Sequence, residues 1–210
     1  MVKLKELRIG VFGGTFDPPH VAHLILASEA CAQLALDQVY WLLTPVSPFK
    51  QGKINTPFEA RYAMVEAAIA DNPQFELCRA DIDRPPPHYA ADSLELLSQQ
   101  HPDVQWTYLM GGDSLRDLPA WHEPERLLCA CNSIGVLRRP GIEIDLDDLF
   151  GKLPALAEKL AWIDVPLFEI SASRIRHLRR TGGAFRYYLP PAVYKIIMEQ
   201  RLYIADGLER

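Results

Sequence analysis

Two histidines, His20 and His23, stand three residues apart directly after the run Gly13-Gly14-Thr15-Phe16-Asp17-Pro18-Pro19. That spacing puts both imidazoles on one face of a first helical turn. Glycines just ahead of a helix let backbone N–H groups approach a ligand closely, and a helix N-terminus favours negative charge. Donors and paired imidazoles together make a seat for a polyphosphate. The same pair could share a metal ion, but no third or fourth ligand is evident. A second cluster, Ile170-Ser171-Ala172-Ser173-Arg174-Ile175-Arg176, reads as a strand end turning into a helix. Ser171 is a good N-cap there, its hydroxyl and the free N–H groups behind it can hold an anion, and Arg176 follows about one and a half turns later. Pro45–Asn55 is long for a strand-to-helix connection, as binding loops and lids often are, and it carries Lys50. Three of the other four histidines, His88, His101 and His177, show no ligand spacing with one another and read as surface residues.

The elements that must position these residues alternate. Short apolar runs predict strands at Leu7–Phe12, Val39–Thr44, Phe75–Cys78, Trp106–Met110, Ser133–Leu137 and Trp162–Val165. Helical patterns fall at Val21–Leu34, Phe58–Ala70 (Thr56 as N-cap, Pro57 as first residue), Ala90–Gln100, Glu123–Cys131 and Leu146–Leu160. A closing amphipathic helix starts at Leu189-Pro190-Pro191. Such alternation implies an α/β fold, a Rossmann-like doubly wound parallel sheet with helices on both faces. Ligands of that fold lie at the carboxyl ends of the strands, where Gly13-Gly14 falls. The expected organisation is one nucleotide-handling domain over residues 1–210, with 168–210 a helical portion carrying the second phosphate cluster.

Composition narrows the class. Apolar residues make up 49% of the 210, enough for a full core. No run of 18 apolar residues suggests a membrane span, and Met1–Arg8 lacks a signal-peptide core, so a cytoplasmic protein is expected. A net charge of −5 argues against a long nucleic acid as partner, though not against a small anion in a basic pocket. The four cysteines form no Cys-x-x-Cys and read as reduced, mostly buried thiols.

Gly13-Gly14-Thr15-Phe16-Asp17-Pro18-Pro19-His20-x-x-His23 resembles the signature of the His-x-Gly-His nucleotidyltransferases, and Ile170–Arg176 resembles their second signature. Met110-Gly111-Gly112-Asp113-Ser114-Leu115, Leu118-Pro119-Ala120-Trp121-His122 and Leu137-Arg138-Arg139-Pro140-Gly141 narrow the likeness to the bacterial nicotinate-nucleotide adenylyltransferases, from about Ile9 to Tyr203. The resemblance implies ATP plus nicotinate mononucleotide giving deamido-NAD and pyrophosphate, with Mg²⁺ bound mainly through the substrate phosphates and no protein side chain as metal ligand. Two departures stand out. Ala22 replaces the glycine usual between the histidines, and Phe49 stands before Lys50 where the family often shows histidine.

Adenylyl transfer needs no general base, because the attacking phosphate oxygen is already anionic with a second pKa of about 6. Alignment and charge neutralisation remain. On this reading His20, His23, Lys50 and Arg176 are the catalytic candidates. Gly13, Gly14, Thr15 and Phe16 supply backbone contacts to ATP, Ser171, Ser173 and Arg176 hold its β- and γ-phosphates, and Asp113 beside Gly111 accepts from its ribose. Arg138, Arg139 and Arg174 are weaker candidates. For the acceptor, Trp121 offers a flat face to the pyridine ring. By the resemblance, the N–H of His122 and one from the turn at Tyr89 and Ala90 bind the carboxylate. The alternatives are a related enzyme using nicotinamide mononucleotide or another phosphorylated acceptor, and a catalytically idle nucleotide-binding module.

Overall fold

The computed structural model describes residues 6–46, 56–138, 143–165 and 169–204. Its spine is six strands: β1 (Leu7–Gly14), β2 (Gln38–Leu43), β3 (Phe75–Cys78), β4 (Val104–Gly111), β5 (Ser133–Arg138) and β6 (Leu160–Asp164). All pair in parallel in the order β3-β2-β1-β4-β5-β6. The chain therefore runs outward from β1 to one edge, returns to the centre, and runs outward to the other. The reversal leaves a crevice between the ends of β1 and β4, where doubly wound sheets bind ligands.

Side chains alternate along each strand and feed two cores. From β1, Phe12 enters one core and Ile9 and Val11 the other. From β2, Val39, Trp41 and Leu43 oppose Leu42 in the same way. The helices α1 (Val21–Gln33), α2 (Phe58–Ile69), α8 (Ala172–Thr181) and α9 (Pro191–Glu199) cover the first face. The second is covered by α3 (Ala90–Gln100), α5 (Pro124–Ala130), α6 (Leu146–Lys152) and α7 (Leu156–Lys159). A short α4 (Gly112–Asp117) leaves the end of β4 directly.

Several boundaries differ from the expectations. β1 runs on through Gly14, so the glycine pair ends the strand instead of making the turn. Pro57, not Thr56, occupies the N-cap of α2, and Phe58 is its first residue. The helix expected over Leu146–Leu160 is two short ones, because Pro154 cannot donate to a continuing helix, and Leu160 already belongs to β6. The Lys50 loop (47–55) and Arg139-Pro140-Gly141 lie outside the described residues.

Candidate active site

The first signature is built on close packing at the end of β1. A β-carbon at Gly13 would fall 2.7 Å from the Tyr108 hydroxyl oxygen, and one at Gly14 would fall 3.0 Å from the Phe16 ring. Glycine is therefore needed for close approach, since neither residue has a positive φ. Phe16 does, at 44°, which aims its ring between Phe12 and His23 at centroid distances of 5.4 and 5.3 Å. The chain then enters α1 with His20 at the N-cap. The rings of His20 and His23 stack 3.6 Å apart at 19°. The His20 backbone N–H donates to His23 Nδ1 at 3.1 Å. Because Nδ1 accepts, the neutral His23 ring carries its proton on Nε2.

A buried cation fixes this end of the sheet. Arg61 on α2 is 2% exposed. Its guanidinium donates to Thr15 O and Thr44 O at 3.0 Å each and to Pro45 O at 2.6 Å. It thus ties the segment after β1 to the segment after β2. Burial pulls its pKa below the ordinary guanidinium value, opposed by Asp17.

The second signature meets the first. Ser171 caps α8, accepting from the Arg174 N–H at 3.3 Å, and its Oγ lies 3.1 Å from that of Ser173. Gly182, at a left-handed φ of 74°, ends the helix. Arg176 donates to Asp17 O at 2.6 Å, and the Tyr203 hydroxyl donates to Asp17 Oδ1 at 2.6 Å. One cleft of about 510 Å³ is walled by Gly13–Asp17, His20 and His23 on one side and by Ser171, Ser173 and Arg176 on the other. Gly111 and Asp113 complete it, and Ala22 lines it as well.

A smaller cleft of about 200 Å³ opens on the other side of the β1 end. It gathers Tyr89, Ala90, Trp121 and His122. The Tyr89 and His122 rings stack at 3.9 Å, and Trp121 meets Tyr108 edge-on at 6.1 Å. Gly13, Gly14, Thr15 and Ser114 line both clefts. Of the weaker candidates, Arg138 is exposed, with its guanidinium 4.8 Å over the Trp162 ring, and Arg174 is exposed.

Four residues in or behind these walls were not singled out in the sequence: Asp81 and Ser114 line a cleft, and Arg61 and Tyr203 brace the segments that do. Arg61 and Tyr203 are described above. Asp81, 1% exposed, accepts from Ser93 Oγ at 2.5 Å, Arg84 at 3.0 Å and Thr44 Oγ1 at 3.2 Å in the smaller cleft. Ser114 carried no sequence signal beyond its place after Asp113. His88 overturns an expectation: it is 6% exposed and lines the smaller cleft instead of facing solvent. Arg84 bends the proline run inward by donating to Pro87 O at 2.8 Å and to Tyr89 O at 3.3 Å. Among the described residues, no group of three His, Cys, Asp or Glu side chains is arranged to hold a metal, and no helix is long and apolar enough to cross a membrane.

The chain is similar to known proteins in sequence and in fold. Residues 11–178 match the cytidylyltransferase-like family model. A protein of Thermomicrobium roseum named "Probable nicotinate-nucleotide adenylyltransferase" is 42% identical over 196 residues, 93% of this chain and 91% of its own length. The like-named protein of Roseiflexus is 42% identical over 93% of this chain and 97% of its own. The fold is similar to that of Plasmodium falciparum nicotinic acid mononucleotide adenylyltransferase complexed with NaAD (TM-score 0.77, 21% identity, covering 94% of this chain and 97% of the other). By the extent of these matches, the chain belongs to the nicotinate-nucleotide adenylyltransferases of the cytidylyltransferase-like family.

Proposed function

We propose that the protein transfers the adenylyl group of ATP to nicotinate mononucleotide, giving deamido-NAD and pyrophosphate in cytoplasmic NAD biosynthesis, with residues 1–210 acting as one domain. A phosphate oxygen of the mononucleotide attacks the α-phosphorus of ATP. The bond from that phosphorus to the bridging oxygen of the β-phosphate breaks, and pyrophosphate leaves with the electron pair. No covalent enzyme intermediate forms.

The observation that carries this reading is the sharing of Gly13, Gly14, Thr15 and Ser114 by the two clefts. Two substrates seated one on each side would meet across that wall. ATP takes the larger cleft, where the imidazoles of His20 and His23 contact its phosphates and one stabilises charge at the transferring group. His23 accepts at Nδ1, so the proton of its neutral ring sits on Nε2. Ser171, Ser173 and Arg176 hold the β- and γ-phosphates, Asp113 the ribose, and Lys50 reaches in as a mobile point charge. The mononucleotide takes the smaller cleft, its pyridine ring on Trp121 and its carboxylate at the N–H groups of His122 and the Tyr89–Ala90 turn. Mg²⁺ accompanies ATP and neutralises phosphate charge when bound. In this reading the ion is held mainly by the substrates' own phosphate oxygens.

The test is product analysis with ATP, Mg²⁺ and nicotinate mononucleotide. Deamido-NAD and pyrophosphate should appear in equal amounts. A chiral ATP α-thiophosphate should give product inverted at phosphorus. Retention would mean two displacements and an enzyme-bound intermediate, and preferential turnover of nicotinamide mononucleotide would overturn the choice of acceptor.

A further inference from the structure

We propose that His88 donates a hydrogen bond to the carboxylate of the acceptor nucleotide and so sets the preference for the acid over the amide; this rests on the function proposed above. The imidazole lines the smaller cleft, yet its Nδ1 is buried without a hydrogen-bond partner. Buried polar atoms are nearly always paired, so an unpaired one on a residue that lines a cleft calls for an explanation.

The neighbouring side chains bond elsewhere and leave His88 Nδ1 unpaired. The Asp81 carboxylate is taken up by Ser93, Arg84 and Thr44. Arg84 donates through its two terminal nitrogens to Asp81, Ser93 and the carbonyls of Pro87 and Tyr89, and its Nε is buried without a partner. None of these hydrogen bonds reaches His88, which stands beside the network.

The cleft's composition points to the ligand's chemistry. Among the described residues lining it there is no lysine or arginine. An anionic group arriving there is met by backbone N–H groups, hydroxyls and the two imidazoles of His88 and His122. Burial lowers the pKa of His88, with Asp81 raising it and Arg84 lowering it, so the ring is neutral near pH 7. A neutral imidazole keeps one N–H donor. To a carboxylate that bond is charge-assisted, and to a carboxamide oxygen it is about half as strong. His88 precedes Tyr89 and Ala90 in the chain, so its ring belongs to the same turn as the N–H groups already assigned to the carboxylate.

The experiment compares His88→Phe, which fills the space without a donor, and His88→Gln, which keeps an N–H, with the unaltered protein at saturating ATP and Mg²⁺. H88F should raise KM for nicotinate mononucleotide roughly tenfold or more, the scale of one charge-assisted hydrogen bond. KM for nicotinamide mononucleotide should move by less than about threefold on the same scale, and kcat little. H88Q should recover part of the loss for the acid alone. Circular dichroism checks folding, and if H88F is misfolded the H88Q comparison decides. Equal KM increases for acid and amide would make His88 a wall of the cleft and overturn the proposal, as would an unchanged KM for the acid. If the unaltered protein fails to adenylylate nicotinate mononucleotide, the functional reading falls too; if it turns over and the variants match it, only His88's role falls.

Discussion

Replacing Arg61 by methionine tests the idea that one buried cation aligns the ends of β1 and β2. Methionine approximates the stem but removes the head that serves Thr15 O, Thr44 O and Pro45 O. A buried acceptor left without its donor costs about 1–3 kcal/mol. Three such losses would give about 3–9 kcal/mol. Two effects lower that sum. Backbone carbonyls tolerate partial satisfaction better than N–H groups, and removing the guanidinium also removes the desolvation that depresses its pKa. A net loss of about 3–5 kcal/mol results, in line with breaking other buried charged networks. For a chain of this size that lowers Tm by roughly 6–20 °C. Urea titration of both proteins measures the difference directly. kcat/KM should fall as well, because Thr15 lines both clefts. Arg61→Lys, which keeps the charge but cannot fork to three carbonyls, should fall between. A methionine variant within about 1 kcal/mol of the parent, the range of an ordinary surface change, would refute the clamp.

Three further outcomes are expected. His20→Ala should lower kcat about 100-fold or more while KM for the mononucleotide stays within about threefold, since its contact strengthens as charge builds at the α-phosphate; single-turnover kinetics separate the two, and an unchanged kcat would remove the assigned role. Gly13→Ala should destabilise by about 1–3 kcal/mol through the clash with the Tyr108 hydroxyl, and Tyr108→Phe in the same chain should restore part of it; a double-mutant cycle with no coupling would place the cost elsewhere. His88 sits below its ordinary pKa of 6.5 in the folded state. The unfolded chain therefore takes up the proton first, so stability is full above pH 6.5 and declines as pH falls from there toward the folded value. Denaturation at pH 7 and pH 5 should show a smaller decline for H88Q than for the parent.

The strand–helix alternation was legible because each strand is a short apolar run, and because α8 and α9 carry local start signals in Ser171 and Pro190-Pro191. Phe75–Cys78 and Ala90–Gln100 fall where the pattern puts them. Ser171 and Gly182 mark the ends of α8 through chemistry confined to neighbouring residues. What stayed hidden depends on distant partners. The pattern at Leu146–Leu160 looked continuous because apolar spacing outweighed one proline. Arg61 looked like one more charge on a helix, since nothing in residues 58–69 reveals three carbonyls from other loops. His88 follows three prolines and so read as exposed. Only the Arg84 hydrogen bonds, reaching Ser93 as well as the loop's own carbonyls, turn it inward. The convergence of Thr15–His23 with Ser171–Arg176 could be expected from resemblance, and the structure shows it in the cleft both segments line and in the 2.6 Å contact between Arg176 and Asp17.

The strand order explains why so few charged side chains are needed here. At the reversal between β1 and β4, adjacent helices leave in opposite directions, and the end of β1 stands as a thin wall between two clefts. A wall made of glycines can be approached from both sides by phosphate oxygens, whereas any side chain at Gly13 would collide with Tyr108 before it met a substrate. Charge is kept back from that wall. Arg61 faces carbonyls beneath it, and Arg176 reaches Asp17 at its rim. In the proposed reaction the wall itself presents backbone N–H groups and the two imidazoles, and the mobile charge comes from Lys50 and the ion that accompanies ATP. A reaction whose nucleophile is already ionised needs geometry more than proton transfer, and a rigid strand end supplies it at less entropic cost than a set of long cationic side chains would.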